Sequence, residues 1–182
     1  ATELDQADMV LLGGSGHYSA AGDLDIDSEP GRPRPRPTWL ATVLDTLRDL
    51  HDRAKPTFAS CWGFQAMARA LGGRCIHDPP FAELGTIDLR LTPAGRDDPA
   101  LGALPPTFTG QAGHEDHVVE LPPDAVLLAS SDRVAHQAFR FAGKPIYCTQ
   151  FPPELDRPAL LERVTAYPEY VERIAAIPCA EF

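Results

Sequence analysis

No run of apolar residues approaches the roughly 20 that a membrane-spanning helix requires, and the chain has no signal-like start. Cytoplasm is the expected compartment. Basic residues are the minority, 16 Lys and Arg against 26 Asp and Glu, for a formal net charge of −10. A nucleic acid or an anionic membrane would be repelled by this surface. Small molecules or other proteins are the partners left. Cysteine is scarce: Cys61, Cys75, Cys148 and Cys179 stand far apart with no CxxC pair, so neither a zinc site nor a disulfide framework is suggested. No internal repeat and no domain-scale linker interrupts the 182 residues, of which 43% are hydrophobic and 23% charged. That length and balance suit one globular domain with a substantial core.

What is present centres on Pro56 to Gly73. The segment opens as a short apolar run and changes directly after Cys61 to helical periodicity, with Phe64, Met67, Ala68 and Leu71 at i, i+3, i+4 and i+7. Cys61 is thus placed on a strand-to-helix turn, the cysteine counterpart of a nucleophile elbow. Facing the positive end of a helix, its thiol is expected to have a lowered pKa. An inert buried cysteine is the alternative reading of this segment alone.

Ahead of it, Asp8 to Leu12 reads as a buried-type strand running into Gly13-Gly14-Ser15-Gly16, a turn whose backbone N–H groups can hold an anion or an oxyanion. The glycine spacing fits neither the dinucleotide nor the P-loop signature. Residues 22–37 are acidic and then alternate Arg with Pro, which predicts an exposed, extended, mobile loop. Thr38 caps a helix with Leu40, Val43, Leu44 and Leu47 on one face. Strand, helix, strand, helix in that order signals a parallel α/β sheet. Because the first strand begins so near Ala1, an N-terminal strand and helix are expected to be missing from the given chain.

Beyond Gly73 shorter strands are predicted at Thr86–Leu91, Phe108–Gly110, His117–Leu121, Ala125–Ala129 and His136–Phe141, separated by turns at Thr92–Gly95 and Leu121–Asp124. They should add antiparallel strands to one end of the sheet. A last strand, Pro145 to Phe151, leads through Pro152-Pro153-Glu154 to a C-terminal helical stretch that Pro168 should break or kink.

Taken together, these segments resemble the class I, triad-type glutamine amidotransferases. Leu11-Leu12-Gly13-Gly14-Ser15-Gly16 is similar to that family's oxyanion loop, Ala59-Ser60-Cys61-Trp62-Gly63-Phe64-Gln65 to its G-x-C-x-G-x-Q elbow, and Gln150-Phe151-Pro152-Pro153-Glu154 to its Q-F-H-P-E segment. Arg69 to Gly73, Gly113-His114-Glu115-Asp116-His117-Val118 and Gln137 to Arg140 fill the intervals. The resemblance implies a flavodoxin-like α/β fold, a mostly parallel sheet flanked by helices. It also implies the chemistry of glutamine hydrolysis: a thiolate attacks the side-chain amide, backbone N–H groups hold the oxyanion, and a histidine oriented by a glutamate moves the proton to departing ammonia.

Carried over, the resemblance makes Cys61 the nucleophile, Glu154 the orienting carboxylate, the backbone of Gly14 and Trp62 the oxyanion donors, and Gln65 and His114 part of the glutamine site. The sequence departs from the pattern at Pro152, which occupies the position of the family histidine and carries no side-chain group able to move a proton. Losing a general acid–base group costs about 10²–10⁴-fold in rate. His114 and His117 are the candidate stand-ins, His17 a pocket-lining candidate, and His51, His77 and His136 read as surface or packing residues. No cofactor is implied, and no metal site, since His114, Asp116 and His117 diverge on an extended segment and lack a further ligand. Glutamine is the implied ligand, and a separate synthase subunit or acceptor enzyme the implied partner. Two further readings stay open: a catalytically silent glutamine-binding or regulatory module, and a hydrolase of γ-glutamyl amides or peptides on the same fold.

Overall fold

The computed structural model describes residues 3–15, 18–21 and 38–175. The expected mobile loop over 22–37, together with Gly16, His17 and Cys179, lies outside the described residues.

The organising helix, α3, spans Trp62–Ala70 and follows strand β2, Thr57–Ser60, with Cys61 alone between them. Its apolar residues bury as the sequence spacing requires: Phe64, Ala66, Met67 and Ala68 are all 0% exposed. Helix α2, Thr38–Asp52, packs against it through Leu40, Leu44, Leu47 and Leu50, all in the same core cluster. The period of 3.6 is read correctly in both helices.

Chain order supplies the rest: α1 (Glu3–Gln6) and β1 (Val10–Leu12) precede α2, and β3 (Arg74–His77), β4 (Glu83–Leu91), α4 (Pro93–Arg96), β5 (Thr107–His114), β6 (Asp116–Glu120), β7 (Ala125–Ser130), β8 (Ala138–Phe141), β9 (Ile146–Thr149), α5 (Arg157–Ala166) and α6 (Pro168–Ala175) follow α3. A 7-stranded sheet runs β1-β2-β9-β8-β7-β4-β5. β1, β2 and β9 are parallel, and β8, β7, β4 and β5 extend the sheet by antiparallel pairing. This is the α/β, flavodoxin-like arrangement read from the sequence, with a larger antiparallel share than the few added strands expected. Pro168 ends one helix and opens the next: Tyr167 caps α5 and α6 begins at Pro168, where a proline needs no donor of its own.

Two features depart from the sequence reading. β1 is not a buried-type strand: it is the edge of the sheet, and Leu11 is 72% exposed because its side chain has no covering layer among the described residues. A second sheet of two strands, β3 paired antiparallel with β6, stands apart from the main one. Cys75 and Val118 on this ribbon join the core cluster that includes Phe64, Ala66 and Met67, so one of its faces packs on α3.

Candidate active site

Parallel β2 and β9 end side by side, with Ala59 opposite Cys148 and Ser60 opposite Thr149. The next residue on β2's side is Cys61, whose φ of 55° and ψ of −112° put a non-glycine residue in left-handed territory. Such strain persists only where surrounding contacts over-determine it. Here they do: the Cys61 N–H donates to the Thr149 carbonyl at 2.8 Å, and its own carbonyl accepts from Gln65 N–H at 3.2 Å.

The glycine loop closes on the same corner. The Gly63 N–H donates to the Gly13 carbonyl at 3.2 Å, and a Cβ on Gly63 would lie 2.5 Å from the Leu12 carbonyl oxygen. Only glycine lets α3 approach β1 this closely. A Cβ on Gly14 would stand 3.3 Å from both Cβ and Sγ of Cys61, so the Gly14 backbone lies against the thiol. The Trp62 backbone N–H also points at the sulfur. The structure therefore brings Cys61, Gly14 and the Trp62 backbone into one cradle.

The expected low thiol pKa is corrected by the tertiary environment. Burial of the sulfur pushes it up to about 11, against the pull of the Trp62 N–H and of Arg163 on α5, while the negative charges of Asp116 and Glu154 push further in the same direction as burial. A short helix end is outweighed by desolvation, since removing a thiolate from water opposes its charge directly. At that value the thiol stays protonated at neutral pH.

At the end of β9 the position expected to supply a proton acceptor holds Pro152, half-buried in a turn closed by the Leu155 N–H on its carbonyl at 3.1 Å. Glu154 is exposed two residues later and its charge reaches the thiol. Pro152 gives it no imidazole to orient.

Gln65 and His114 sit deeper than their carried-over roles suggest. The Gln65 side chain is buried and its Nε2 donates to the Asp116 carbonyl at 2.9 Å and to Gln150 Oε1 at 3.1 Å, tying α3 to β6 and to the end of β9. His114 Nδ1 lies 2.9 Å from that same Asp116 carbonyl, and its Nε2 lies 2.9 Å from Glu83 Oε2. Both ring nitrogens are thus within hydrogen-bonding distance of an acceptor. Ser131 Oγ and Gln137 Nε2 also donate to the Glu83 carboxylate, at 2.7 and 2.6 Å. Burial works to raise the Glu83 pKa, but these donors and the His114 charge outweigh it and hold the carboxyl below its usual range. His114 is thus fully engaged and has no nitrogen left to act as a base.

His117 is nine-tenths buried, its Nδ1 unpartnered and its ring 6.0 Å from that of Phe81. Burial lowers its pKa against the opposing pull of Asp78. Adjacent strand residues point to opposite faces, and it is Asp116, not His117, that lies on the α3 side. His51 bridges to Asp124 at 2.9 Å and lies edge-on to Phe141, and His136 Nδ1 lies 2.8 Å from the Val118 carbonyl, so both hold structure.

Asp116, read from the sequence only as part of the 113–118 stretch and as a rejected metal ligand, acts on the thiol. Its carboxylate accepts from Ser19 Oγ through one oxygen and from His77 Nδ1–H at 2.8 Å through the other, while its charge reaches Cys61. The signal was its place two residues after His114. Arg163 was missed for another reason: only the docking of α5 brings its charge toward the thiol.

A family model described as "Glutamine amidotransferase class-I" matches residues 4–159. The chain belongs to the class I glutamine amidotransferases. Among curated relatives, gamma-glutamyl peptidase 3 of Arabidopsis thaliana is 28% identical over 168 residues, covering 89% of this chain and 60% of its own length. The glutamine-hydrolysing GMP synthase subunit of Thermoplasma volcanium is 31% identical over 156 residues, covering 85% of this chain and 66% of its own. The chain thus spans less than two thirds of the first of these relatives. A solved glutamine amidotransferase from Thermotoga maritima matches with a TM-score of 0.75 at 20% identity, over 97% of this chain and 69% of that one, a likeness of fold. No helix among the described residues is long and apolar enough to cross a membrane.

Proposed function

We propose that this class I glutamine amidotransferase chain forms a single catalytic domain that hydrolyses the γ-carboxamide of glutamine through Cys61 and releases ammonia for a separate acceptor. The observation that carries the reading is the cradle at Cys61: a strained turn with Gly14 against the sulfur and the Trp62 N–H aimed at it. In this reading the thiolate attacks the amide carbon, and the N–H groups of the loop and of Trp62 stabilise the oxyanion. Glu154 contributes charge but not the orientation of a histidine, because Pro152 stands in the histidine position. Turnover is consequently slow. The GMP synthase relatives are glutamine-hydrolysing subunits, which supports a separate synthase partner for this chain.

A second reading is favoured by the gamma-glutamyl peptidase relative, which matches across 89% of this chain: the same thiol would cleave γ-glutamyl amides or peptides. The deciding experiment compares glutamine and a γ-glutamyl dipeptide as substrates for the unmodified protein and for Cys61→Ala. Ammonia release from glutamine that disappears in Cys61→Ala supports the first reading, and faster amine release from the dipeptide supports the second. A folded protein that binds glutamine by calorimetry yet turns over neither substrate is instead a silent binding module.

A further inference from the structure

We propose that His77, held by Asp116, is the proton-transfer partner of Cys61, taking the place left by Pro152; this rests on the amidohydrolase reading above. The fold brings the two residues to one end of α3. α3 carries the chain away from Cys61 for nine residues, about 13 Å at 1.5 Å per residue. After the Gly72-Gly73 turn, β3 returns for four residues, about 13 Å at 3.3 Å per residue. Its last residue, His77, binds Asp116, whose charge reaches Cys61.

Facing is fixed by the register of the ribbon. Cys75 pairs with Val118 and His77 with Asp116, and Cys75 and Val118 pack on α3 in the core. Positions two apart share a face, so His77 and Asp116 are on the α3 side too. One turn into α3, Gln65 Nε2 holds the Asp116 carbonyl at 2.9 Å, which pins the dyad to the helix that Cys61 opens.

The dyad has the internal arrangement a base requires. Asp116 is 5% exposed at its side chain and accepts the His77 Nδ1–H at 2.8 Å. The carboxylate fixes the tautomer and leaves Nε2 as the lone-pair nitrogen. The Ser19 hydroxyl occupies the other carboxylate oxygen, so Asp116 cannot turn away. His77 makes no further hydrogen bond among the described residues, and its side chain is 41% exposed, open to substrate and solvent. His114 is engaged at both nitrogens, and His117 lies on the opposite face. Among the described residues, His77 is the histidine that combines an orienting carboxylate with a free Nε2.

The step balances as follows. Nε2 of His77 accepts the Sγ proton, the sulfur forms a bond to the amide carbon, and the imidazolium returns that proton to the nitrogen as the C–N bond breaks and ammonia leaves. Water then adds to the thioester, giving one proton through His77 to the sulfur as the C–S bond breaks, and glutamate departs. The charged groups acting on Cys61 are Arg163 from α5, Asp116 from β6 and Glu154 from the turn after β9; on the side of β3, Asp78 directly follows His77 and Arg69 of α3 acts on Cys75.

The test uses the whole chain as unmodified protein, His77→Asn and Asp116→Asn. Alkylation by iodoacetamide is read at the Cys61 peptide by mass spectrometry as a function of pH, alongside steady-state glutamine turnover. The unmodified protein should show a pH-dependent limb in Cys61 reactivity that His77 sets. His77→Asn should lose that limb and about 10²-fold or more in turnover, with an unchanged thermal melt. Asp116→Asn should shift the limb while leaving His77 in place, and it serves as the second probe where His77→Asn fails to fold. An alkylation profile and rate in His77→Asn that match the unmodified protein overturn the assignment. Absence of turnover in the unmodified protein overturns the amidohydrolase reading alone, because the alkylation profile still shows whether His77 acts on Cys61.

Discussion

β2 and β9 are parallel neighbours whose ends meet at the same corner, and they have been treated differently. At the end of β2 a cradle is assembled around a thiol: a strained Cys61, Gly14 against its sulfur and the Trp62 N–H directed at it. At the end of β9 the backbone remains equally well tied, through the Thr149 carbonyl to Cys61 and the Pro152 carbonyl to Leu155. Its chemistry, however, resides in a side chain, and Pro152 has none to offer. Backbone donors survive substitution because every residue but proline carries an N–H. A side-chain shuttle depends on one residue type, so one substitution removes it from the β9 end.

The comparison is sharpened most by restoring the missing group. Pro152→His, made in the His77→Asn background, should raise glutamine turnover by about 10²–10⁴-fold, measured as ammonia release; no rise would mean that the β9 end is displaced as well as altered. Next in size is the buried network beneath both ends. Glu83→Gln removes the carboxylate that His114, Ser131 and Gln137 share, and breaking a buried pair costs about 3–5 kcal/mol. Denaturant unfolding would read this as a lowered midpoint.

The β2 end is tested through its close approach. Gly63→Ala places a methyl 2.5 Å from the Leu12 carbonyl, and overpacking of this kind costs about 1–3 kcal/mol. Because the strain falls between α3 and β1, the melting temperature should drop and Cys61 reactivity should change with it. An unchanged melt would show that the corner is looser than its contacts indicate.

The smallest effect is on pH dependence. Burial depresses the His117 pKa, so the unfolded chain binds the proton more readily than the folded one. Stability should be fully present above the unfolded value of about 6.5 and decline as pH falls below it toward the folded value. His117→Asn should flatten that part of the stability profile, while the loss at lower pH, as Glu83 is protonated, should persist. For Glu83 the depressed carboxyl pKa gives the same sign: its contribution is present above the ordinary glutamate range and lost as pH falls through the folded value.

Much of the fold was legible because local pattern and tertiary demand coincide. In α2 and α3 the 3.6-residue period marks the residues that bury, and Pro168 divides the C-terminal helices where a proline must. β3 was not legible, since Arg-Cys-Ile-His has only four residues and its partner β6 lies far along the chain. The reading of β1 failed for a related reason. An apolar run does not say whether a second strand will cover it, and here β1 is the edge.

By itself the sequence determined the elbow at Cys61, the glycines that allow close approach around it, and the proline in the histidine position, because each depends on the covalent nature of one residue. Only the tertiary structure decided the state of the thiol, since burial and the charges of Arg163, Asp116 and Glu154 come from different elements. It also decided which histidine is free. His114 and His77 are the same side chain in the sequence, and only the fold gives one two acceptors within a buried network and the other a single carboxylate with an open nitrogen.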